Sequence, residues 1–335
     1  MSAVAICVPT FNQADYLAQS VRSAFAQDFS DLEIWLSDDA STDRTPEVVA
    51  QLQKEFPALR AFRQEKNLGM SGNPKWVVRK PESEFIVKLD SDDWLHPNYV
   101  SRLVALLRQH PKAGCAHCSV DQINNAGETT RVRRLGRATG FQDAEESLRA
   151  LTGGYRVAAN ICIFRRTAMA QVDYYKTDLA FADDWDLAVR LADAGWGNIY
   201  CSDVLASYRV WDDANNIRAR RKLVEVAGSL RVFQESLGPA FTKRGWSLAP
   251  VEQARRRYAL DHSIALLSPA FSETECEELR AVLRQMGASP ALERRFSQYR
   301  LGLGPLLQWR GMLLLRAKDA VKKLIGRGAA PRASR

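Results

Sequence analysis

Short runs of β-branched and aliphatic residues alternate with amphipathic stretches along the first part of the chain. An apolar repeat of helical period predicts helices near 17–25, 46–55, 97–109, 141–152 and 184–194. The apolar runs between them predict strands near 3–8, 32–36, 59–64, 84–89, 113–120, 160–164 and 198–201. Strands that alternate with helices of this length are typical of βαβ units. The pattern therefore predicts an α/β fold with a mostly parallel sheet.

After about residue 215 the pattern becomes helical only. Gly-Pro and Ser-Pro pairs interrupt it, and such pairs are typical of the ends of helices. We therefore predict two domains, an α/β domain over 1–215 and a helical domain over 216–335. A basic amphipathic stretch at about 305–327 lies in the second.

The charge of the chain is concentrated at its C-terminal end. The 335 residues carry a net charge of +8, and 296–335 alone hold nine basic residues against one acidic residue. The neutral remainder argues against nucleic acid as a partner. No run of apolar residues approaches the roughly 18 that a membrane-spanning helix needs. The six cysteines are scattered along the chain and do not form the pattern of a disulfide framework. No signal-peptide pattern precedes the first predicted strand. We expect a cytoplasmic protein.

The amphipathic stretch has an apolar face that includes Leu306, Trp309 and Leu313, with basic residues largely opposite. A basic helix with Trp on its apolar side is typical of helices that lie in a membrane interface. We therefore predict peripheral contact with an anionic membrane surface, the inner face of the cytoplasmic membrane. Two alternatives remain open, namely packing on the catalytic domain and a dimer contact.

Four polar segments follow predicted strands or begin a predicted helix, at 9–12, 38–43, 90–93 and 183–186. Sheets of this kind bind ligands at the carboxyl ends of their strands. Three carboxylates within 90–93 repel one another unless a cation lies among them. Mg²⁺ or Mn²⁺ would suit this position, since each takes few carboxylates together with phosphate oxygens. The alternative is that these acidic residues only cap helices and form turns.

The order of five motifs resembles the family-two glycosyltransferases of the GT-A fold, over about residues 3–211. The motifs are Val-Pro-Thr-Phe-Asn at 8–12, Ser-Asp-Asp-Ala-Ser-Thr-Asp-Arg-Thr at 37–45, Lys-Asn-Leu-Gly at 66–69, Leu-Asp-Ser-Asp-Asp at 89–93 and Asp-Asp-Trp-Asp-Leu-Ala-Val-Arg-Leu at 183–191. The resemblance implies a Rossmann-like sheet flanked by helices. It also implies an inverting, metal-dependent transfer of one sugar from a nucleotide sugar, with UDP favoured, to a saccharide or lipid-linked acceptor in surface polysaccharide biosynthesis.

The resemblance also assigns expected roles to individual residues. The nucleotide-binding residues are Pro9, Thr10, Phe11, Asp39, Asn67, Gly69 and Asp90. Asp92 is the expected ligand of a Mn²⁺ or Mg²⁺ ion, and Asp184 is the expected general base. Three further residues are candidates for the acceptor side. Asp183 and Trp185 belong to the last motif, and Arg156 lies outside the motifs, in a segment where it could meet an anionic acceptor. For Arg156 and Asp183, ordinary turn and helix-capping roles remain open alternatives.

Two departures from the family pattern bear on the metal and the diphosphate. Where the family often has Ala-Arg-Asn, the chain has Met-Ser-Gly-Asn-Pro at 70–74, so a basic residue is missing and Lys75 or Arg79 would have to replace it. Where many members have Tyr-Arg-x-His, the chain has Tyr-Arg-Val-Trp at 208–211, which removes a potential metal ligand.

Two other functions remain open at this point. One is a nucleotidyltransferase, which normally has a glycine-rich, basic phosphate loop after its first strand, unlike the segment 9–12. The other is a catalytically weak module that only binds a nucleotide sugar, as the missing basic residue and histidine would allow.

Overall fold

A computed structural model describes residues 2–179, 181–211, 217–304 and 306, and these residues form two compact units. The first unit holds the chain up to Ile217 together with Ala227–Ala254, and the second holds Arg218–Val226 and the chain from Arg255. The helical segment 227–254 thus groups with the sheet. The domain boundary at 215 stays a prediction, and the amphipathic stretch 305–327 lies outside the described residues except for Leu306.

The first unit is built on one sheet, in which the described residues form ten strands. In chain order they are β1 (Val4–Thr10), β2 (Leu32–Asp38), β3 (Arg60–Arg63), β4 (Phe85–Lys88), β5 (Trp94–Leu95), β6 (Ala113–Ile123), β7 (Thr129–Arg133), β8 (Gly140–Gln142), β9 (Cys162–Arg165) and β10 (Gly197–Arg209). Each of the seven predicted strands is present among them.

The strand order is β3-β2-β1-β4-β9-β6-β10-β5, with β7 paired to β6 and β8 paired to β10. Pairing is parallel from β3 to β4 and between β6 and β10. β9 lies antiparallel between β4 and β6. The α/β fold is confirmed, with a sheet that is parallel in one half and mixed in the other.

Helices cover both faces of the sheet. The described helices are α1 (Leu17–Phe25), α2 (Thr45–Glu55), α3 (Gly69–Val78), α4 (Tyr99–Gln109), α5 (Ala144–Ala150), α6 (Arg166–Gln171), α7 (Asp183–Asp193), α8 (Ile217–Arg231), α9 (Gly238–Lys243), α10 (Ala249–His262), α11 (Glu273–Gly287) and α12 (Pro290–Arg300). Successive side chains of a strand point to opposite faces. Ile6 of β1 therefore packs in a core with α1, α2 and α4, whereas Cys7 packs in a second core with α3, α6 and α7.

The second unit is helical, as the sequence predicts for the C-terminal part. Ser272 and Glu275 form a capping box that begins α11, and the buried face of that helix carries Leu279, Leu283 and Met286. A β-carbon at Gly287 would lie 2.6 Å from Cα of Arg256, so this close approach of two backbones requires glycine. Within the described ranges, no helix has both the length and the apolar character needed to cross a bilayer.

Candidate active site

The loops that follow β1 and β2 are tied together by one asparagine. The backbone N–H of Asn12 donates to Oγ of Ser41 at 2.9 Å, and Oδ1 of Asn12 accepts from the N–H of Thr42 at 2.8 Å. Asn12 has a φ of +53°, a left-handed conformation that asparagine tolerates better than most residues. The segments 9–12 and 38–43 are therefore held together at the carboxyl edge of the sheet.

The end of β1 presents groups that a ligand could use. Pro9 and Thr10 are buried, and Oγ1 of Thr10 has no hydrogen-bond partner among the described residues. The next side chain, Phe11, is 43% exposed. A buried hydroxyl without a partner beside an exposed aromatic ring is an arrangement that a bound ligand would complete. The nucleotide-binding roles of these three residues stay predictions.

Asp39 and the loop 67–69 come together through hydrogen bonds. Oδ1 of Asp39 accepts from the N–H of Leu68 at 2.6 Å, and Oδ2 accepts from the N–H of Gly69 at 3.0 Å. Nδ2 of Asn67 donates to the backbone carbonyl of Asp39 at 3.3 Å. Burial raises the pKa of Asp39, although these backbone N–H groups oppose the shift. Asp39 thus holds the start of α3, and its oxygens retain further lone pairs for a ligand.

A buried lysine joins two of the predicted motifs. Nζ of Lys88, at the end of β4, lies 3.1 Å from Oδ1 of Asp90 and 4.0 Å from Oδ2 of Asp184. Burial alone would lower the pKa of Lys88, but the carboxylates of Asp184 and Asp90 raise it well above its ordinary value. Lys88 was missed by the sequence analysis. The available signal is a lysine in an otherwise apolar strand, directly before an acidic triplet.

Asp184 lies in the first turn of α7, and only 14% of its side chain is exposed. Burial raises its pKa to about 7, the nearby charges of Asp183 and Asp90 add to this shift, and the Lys88 ammonium opposes it. Burial also raises the pKa of Asp183, again against the effect of Lys88. A carboxyl group that titrates near neutrality is suited to accept a proton at physiological pH.

The next residues of α7 anchor the helix. The side chain of Trp185 is buried, and its indole N–H donates to the carbonyl of Leu151 at 3.0 Å. Asp186 is fully buried and accepts hydrogen bonds from three side chains, those of Lys176, Arg190 and Ser236. Asp183 and Trp185 are the neighbours of the candidate base Asp184 in the chain. Their acceptor-side role stays a prediction.

The carboxylates of the segment 90–93 have separate partners. Oδ2 of Asp92 accepts from Nε1 of Trp211 at 2.6 Å, and Oδ1 of Asp93 accepts from the backbone N–H of Arg209 at 2.7 Å. Asp90 instead faces Lys88. The mutual repulsion expected from the sequence is therefore reduced by donors from the chain itself. Trp211 was missed as a partner of Asp92, and it occupies the position where many family members have histidine.

The carboxylates of the segment 90–93 offer few ligands for a divalent ion. The described residues contain no cluster of three or more His, Cys, Asp or Glu side chains able to hold a metal. Trp211 already binds one carboxylate oxygen of Asp92, and the side chain of Asp90 is 33% exposed beside Lys88. Mg²⁺ and Mn²⁺ take one or two carboxylates and complete their shells with phosphate and water oxygens. The residues present fit an ion bound in this way.

The other basic residues considered for the site do not contact the segment 90–93. Lys75 and Arg79 both pair with Asp173, at 2.9 and 3.4 Å, so neither is directed at the segment 90–93. Arg156 is exposed in the segment that precedes β9 and lines a separate cavity. Its acceptor-side role stays a prediction.

Comparison with known proteins identifies the family. The model of "Glycosyl transferase family 2" matches residues 5–172, half of the chain. The chain is 35% identical over 130 residues to the GalNAc(5)-diNAcBac-PP-undecaprenol beta-1,3-glucosyltransferase of Campylobacter jejuni, a match that covers 37% of this chain and 41% of that protein. The chain spans less than half the length of the curated relatives it matches.

Solved structures share the fold. Residues 1–349 of TarS from S. aureus in complex with UDP superpose with a TM-score of 0.56 at 19% identity, covering 90% of this chain and 92% of that one. The mannosyltransferase PcManGT from Pyrobaculum calidifontis in complex with GDP-Man and Mn²⁺ gives a TM-score of 0.56 at 21% identity, covering 96% and 87%. At these identities the likeness shows the GT-A fold of the chain.

Proposed function

The chain belongs to glycosyl transferase family 2, and on that premise we propose that it transfers one sugar from a nucleotide sugar to a saccharide or lipid-linked acceptor, with inversion at the anomeric carbon. One observation carries the proposal. The Lys88 ammonium lies between Asp90, in the expected diphosphate segment, and Asp184, the expected base. This contact brings together two motifs that are far apart in sequence at the carboxyl edge of the sheet.

The donor binds across the ends of β1, β2 and β4 in this proposal. The unpartnered Thr10 hydroxyl, the exposed Phe11 ring and the free lone pairs of Asp39 face the nucleoside. The loop 67–69, which Asp39 holds, closes over it. Asp90 and Asp92 lie towards the ribose and the diphosphate. UDP is the favoured nucleotide, and the UDP bound to the similar TarS structure supports this choice.

The chemical step assigned to Asp184 is proton transfer. The acceptor hydroxyl oxygen attacks the anomeric carbon while Asp184 takes the hydroxyl proton, and the bond from that carbon to the diphosphate oxygen breaks with its electron pair. Attack opposite the leaving group inverts the configuration. Lys88 stabilises the ionised form of Asp184 against the effect of burial, so the base is ionised above about pH 7.

A Mn²⁺ or Mg²⁺ ion held by Asp92 would supply charge neutralisation for the departing diphosphate. Trp211 orients the Asp92 carboxylate through its indole N–H. The Mn²⁺ in the similar mannosyltransferase structure supports this part of the proposal.

The acceptor and the cellular site rest on the relatives and on the sequence. The C. jejuni relative is named as a glucosyltransferase that acts on an undecaprenol-linked saccharide. We therefore extend the proposal to a lipid-linked or saccharide acceptor in surface polysaccharide biosynthesis, on the cytoplasmic face of the membrane. The basic stretch 305–327 would contact anionic lipid there.

The donor site can be tested by calorimetric titration of UDP with and without Mn²⁺. We expect Mn²⁺ to tighten UDP binding by at least about tenfold, roughly 1.4 kcal/mol, in the wild type. Asp92→Asn should remove this gain. Asp203→Asn is the matched control because Asp203 pairs with Arg102 at an exposed position and should behave as the wild type. UDP binding that ignores Mn²⁺ and is unchanged in Asp92→Asn would contradict the assignment.

A further inference from the structure

A cavity in the first unit is lined by polar groups that the proposed reaction does not use. It has a volume of about 40 Å³ and lies between strands β6 and β10, helices α5 and α7, and the segments that precede β8 and β9. Its basic lining side chains are Arg137, Arg156 and His117. They come from three different parts of the chain, so the fold itself assembles this group.

Arg137 is held in place without being neutralised. Its Nη1 donates to Oε1 of Gln142 at 2.8 Å, and its Nη2 donates to Oδ1 of Asn198 at 2.6 Å. Both partners are neutral amides. Among the described residues no carboxylate lies within 4.0 Å of the guanidinium of Arg137 or of Arg156. The nearby Glu146 instead accepts from the backbone N–H of Asp143 in the capping box of α5.

The environment of Arg137 disfavours an isolated positive charge. Burial lowers its pKa, and the neighbouring charge of Arg156 acts in the same direction. A partly buried cation whose hydrogen-bond partners are all neutral is stabilised when an anion binds beside it, because the attraction of opposite charges is added to the hydrogen bond. The cavity therefore favours an anionic occupant.

His117 adds a second, independent donor. It is 2% exposed, and its Nε2 lies 3.3 Å from Nη2 of Arg137. An arginine can only donate, so Nε2 is the acceptor and the ring proton is on Nδ1. Burial, together with the charge of Arg137, lowers the pKa of His117 to about 3, so the ring is neutral. Its Nδ1–H is a buried donor without a partner among the described residues.

The cavity also follows the helix that carries the candidate base. Ala188, Leu191 and Ala192 line it, and their spacing from Asp184 places all four on one face of α7. Tyr155 lines the cavity as well, and the charge of Asp184 acts on its hydroxyl. An occupant of the cavity would therefore lie along the same side of α7 as the base.

We propose that Arg137, Arg156 and His117 form a binding site for an oxyanion of the phosphate type, separate from the nucleotide-binding residues. The two guanidinium groups supply charge, and the Nδ1–H of His117 supplies a neutral donor. The oxyanion belongs either to the acceptor or to a free anion that regulates the protein. The binding itself does not depend on the proposed transferase activity.

The site can be tested by calorimetric titration with inorganic phosphate. We expect Arg137→Gln and Arg156→Gln each to weaken phosphate binding by at least about tenfold relative to the wild type. Arg133→Gln is the matched control because Arg133 is exposed on β7 and outside the cavity. Since Arg156 is exposed, its variant should keep the fold, which the thermal unfolding curve checks. Unchanged phosphate binding in both cavity variants would overturn the proposal.

A second readout is specific to His117. We expect phosphate to shift the Nδ1–H resonance of His117 in the nitrogen-resolved NMR spectrum of the wild type, and to leave it unshifted in Arg137→Gln. A resonance that ignores phosphate in the wild type would remove His117 from the site.

Kinetics then identify the source of the oxyanion. If the acceptor carries it, phosphate should raise the acceptor KM, and Arg156→Gln should raise that KM without phosphate. If a free anion is the ligand, phosphate should change kcat and leave the acceptor KM unchanged. If phosphate binds as expected but no nucleotide sugar is consumed with any acceptor, the proposed function fails and this site still stands.

Discussion

The pKa of Asp184 leads to a quantitative prediction for the pH dependence of turnover. A group with a pKa of about 7 is roughly one tenth ionised at pH 6 and roughly nine tenths ionised at pH 8. Turnover should therefore rise by about tenfold between these two values and then level off. General-base catalysis contributes typically about 10²- to 10⁴-fold, so Asp184→Asn should lower kcat by that amount and abolish the rise.

The assay follows release of the nucleoside diphosphate at saturating donor, with donor affinity measured separately by calorimetry. Asp184→Asn should retain donor affinity within about twofold, because the amide is similar in shape and no nucleotide contact is assigned to this residue. Asp203→Asn serves again as the control and should keep the wild-type profile.

The pKa of Asp184 also determines whether the free energy of unfolding rises or falls with pH. The folded protein holds a proton on Asp184 up to about pH 7, whereas the unfolded chain loses it near pH 4. The folded state therefore binds more protons in this window, and the contribution of Asp184 to the free energy of unfolding falls as the pH rises through it. The free energy of unfolding, measured by urea denaturation, should therefore vary less with pH in Asp184→Asn than in the wild type.

Three results would refute this reasoning about Asp184. A turnover that is flat between pH 6 and 8 would show that no group with the predicted pKa limits the reaction. Near-normal turnover in Asp184→Asn would reject the residue as the base. Loss of donor binding in that variant would show that Asp184 acts in binding.

Three further variants test the contacts around the site. Lys88→Met leaves the buried carboxylate of Asp184 and the partly exposed carboxylate of Asp90 without their cation, so urea denaturation should show a loss of about 3–5 kcal/mol in unfolding free energy. The midpoint of the pH–rate profile should move upward, and an unchanged midpoint would contradict the role of Lys88. Asp39→Asn cannot accept from both backbone N–H groups of the loop 67–69, so the free energy of unfolding should fall by about 1–3 kcal/mol and calorimetry should show weaker UDP binding. Trp211→His places an imidazole nitrogen, which can bind a metal ion, beside Asp92. Its Mn²⁺ affinity, measured by titration, should exceed the affinity of Trp211→Phe by about tenfold. Equal affinities would show that residue 211 does not reach the metal ion.

Much of the fold could be predicted from local pattern. Seven of the ten described strands were recognisable because short apolar runs are separated by amphipathic stretches and turns, whereas β5, β7 and β8 were not predicted. The antiparallel insertion of β9 between β4 and β6 could not be predicted, since hydrophobic periodicity carries no strand order. Helix α3 was not predicted either, because two glycines and Pro74 favour a loop over 69–74, although the segment forms a helix with Pro74 inside it.

The candidate site was only partly predictable. The rule that ligands bind at the carboxyl ends of strands located the polar segments, and the resemblance supplied their roles. Lys88 was missed because its partners are set by packing of α7 against the end of β4, which no local pattern encodes. The same holds for Trp211, whose contact with Asp92 depends on how β10 ends beside β5. The group of Arg137, Arg156 and His117 likewise exists only in the folded chain.

The central claim is tested most directly by identifying the product formed from a panel of nucleotide sugars and saccharide or lipid-linked acceptors. We expect one donor, with UDP favoured as its nucleotide, to be consumed in equal amount with the release of its nucleoside diphosphate. NMR should show a new glycosidic bond whose anomeric configuration is opposite to that of the donor. Retention of configuration, or transfer of the nucleotide in place of the sugar, would contradict the account.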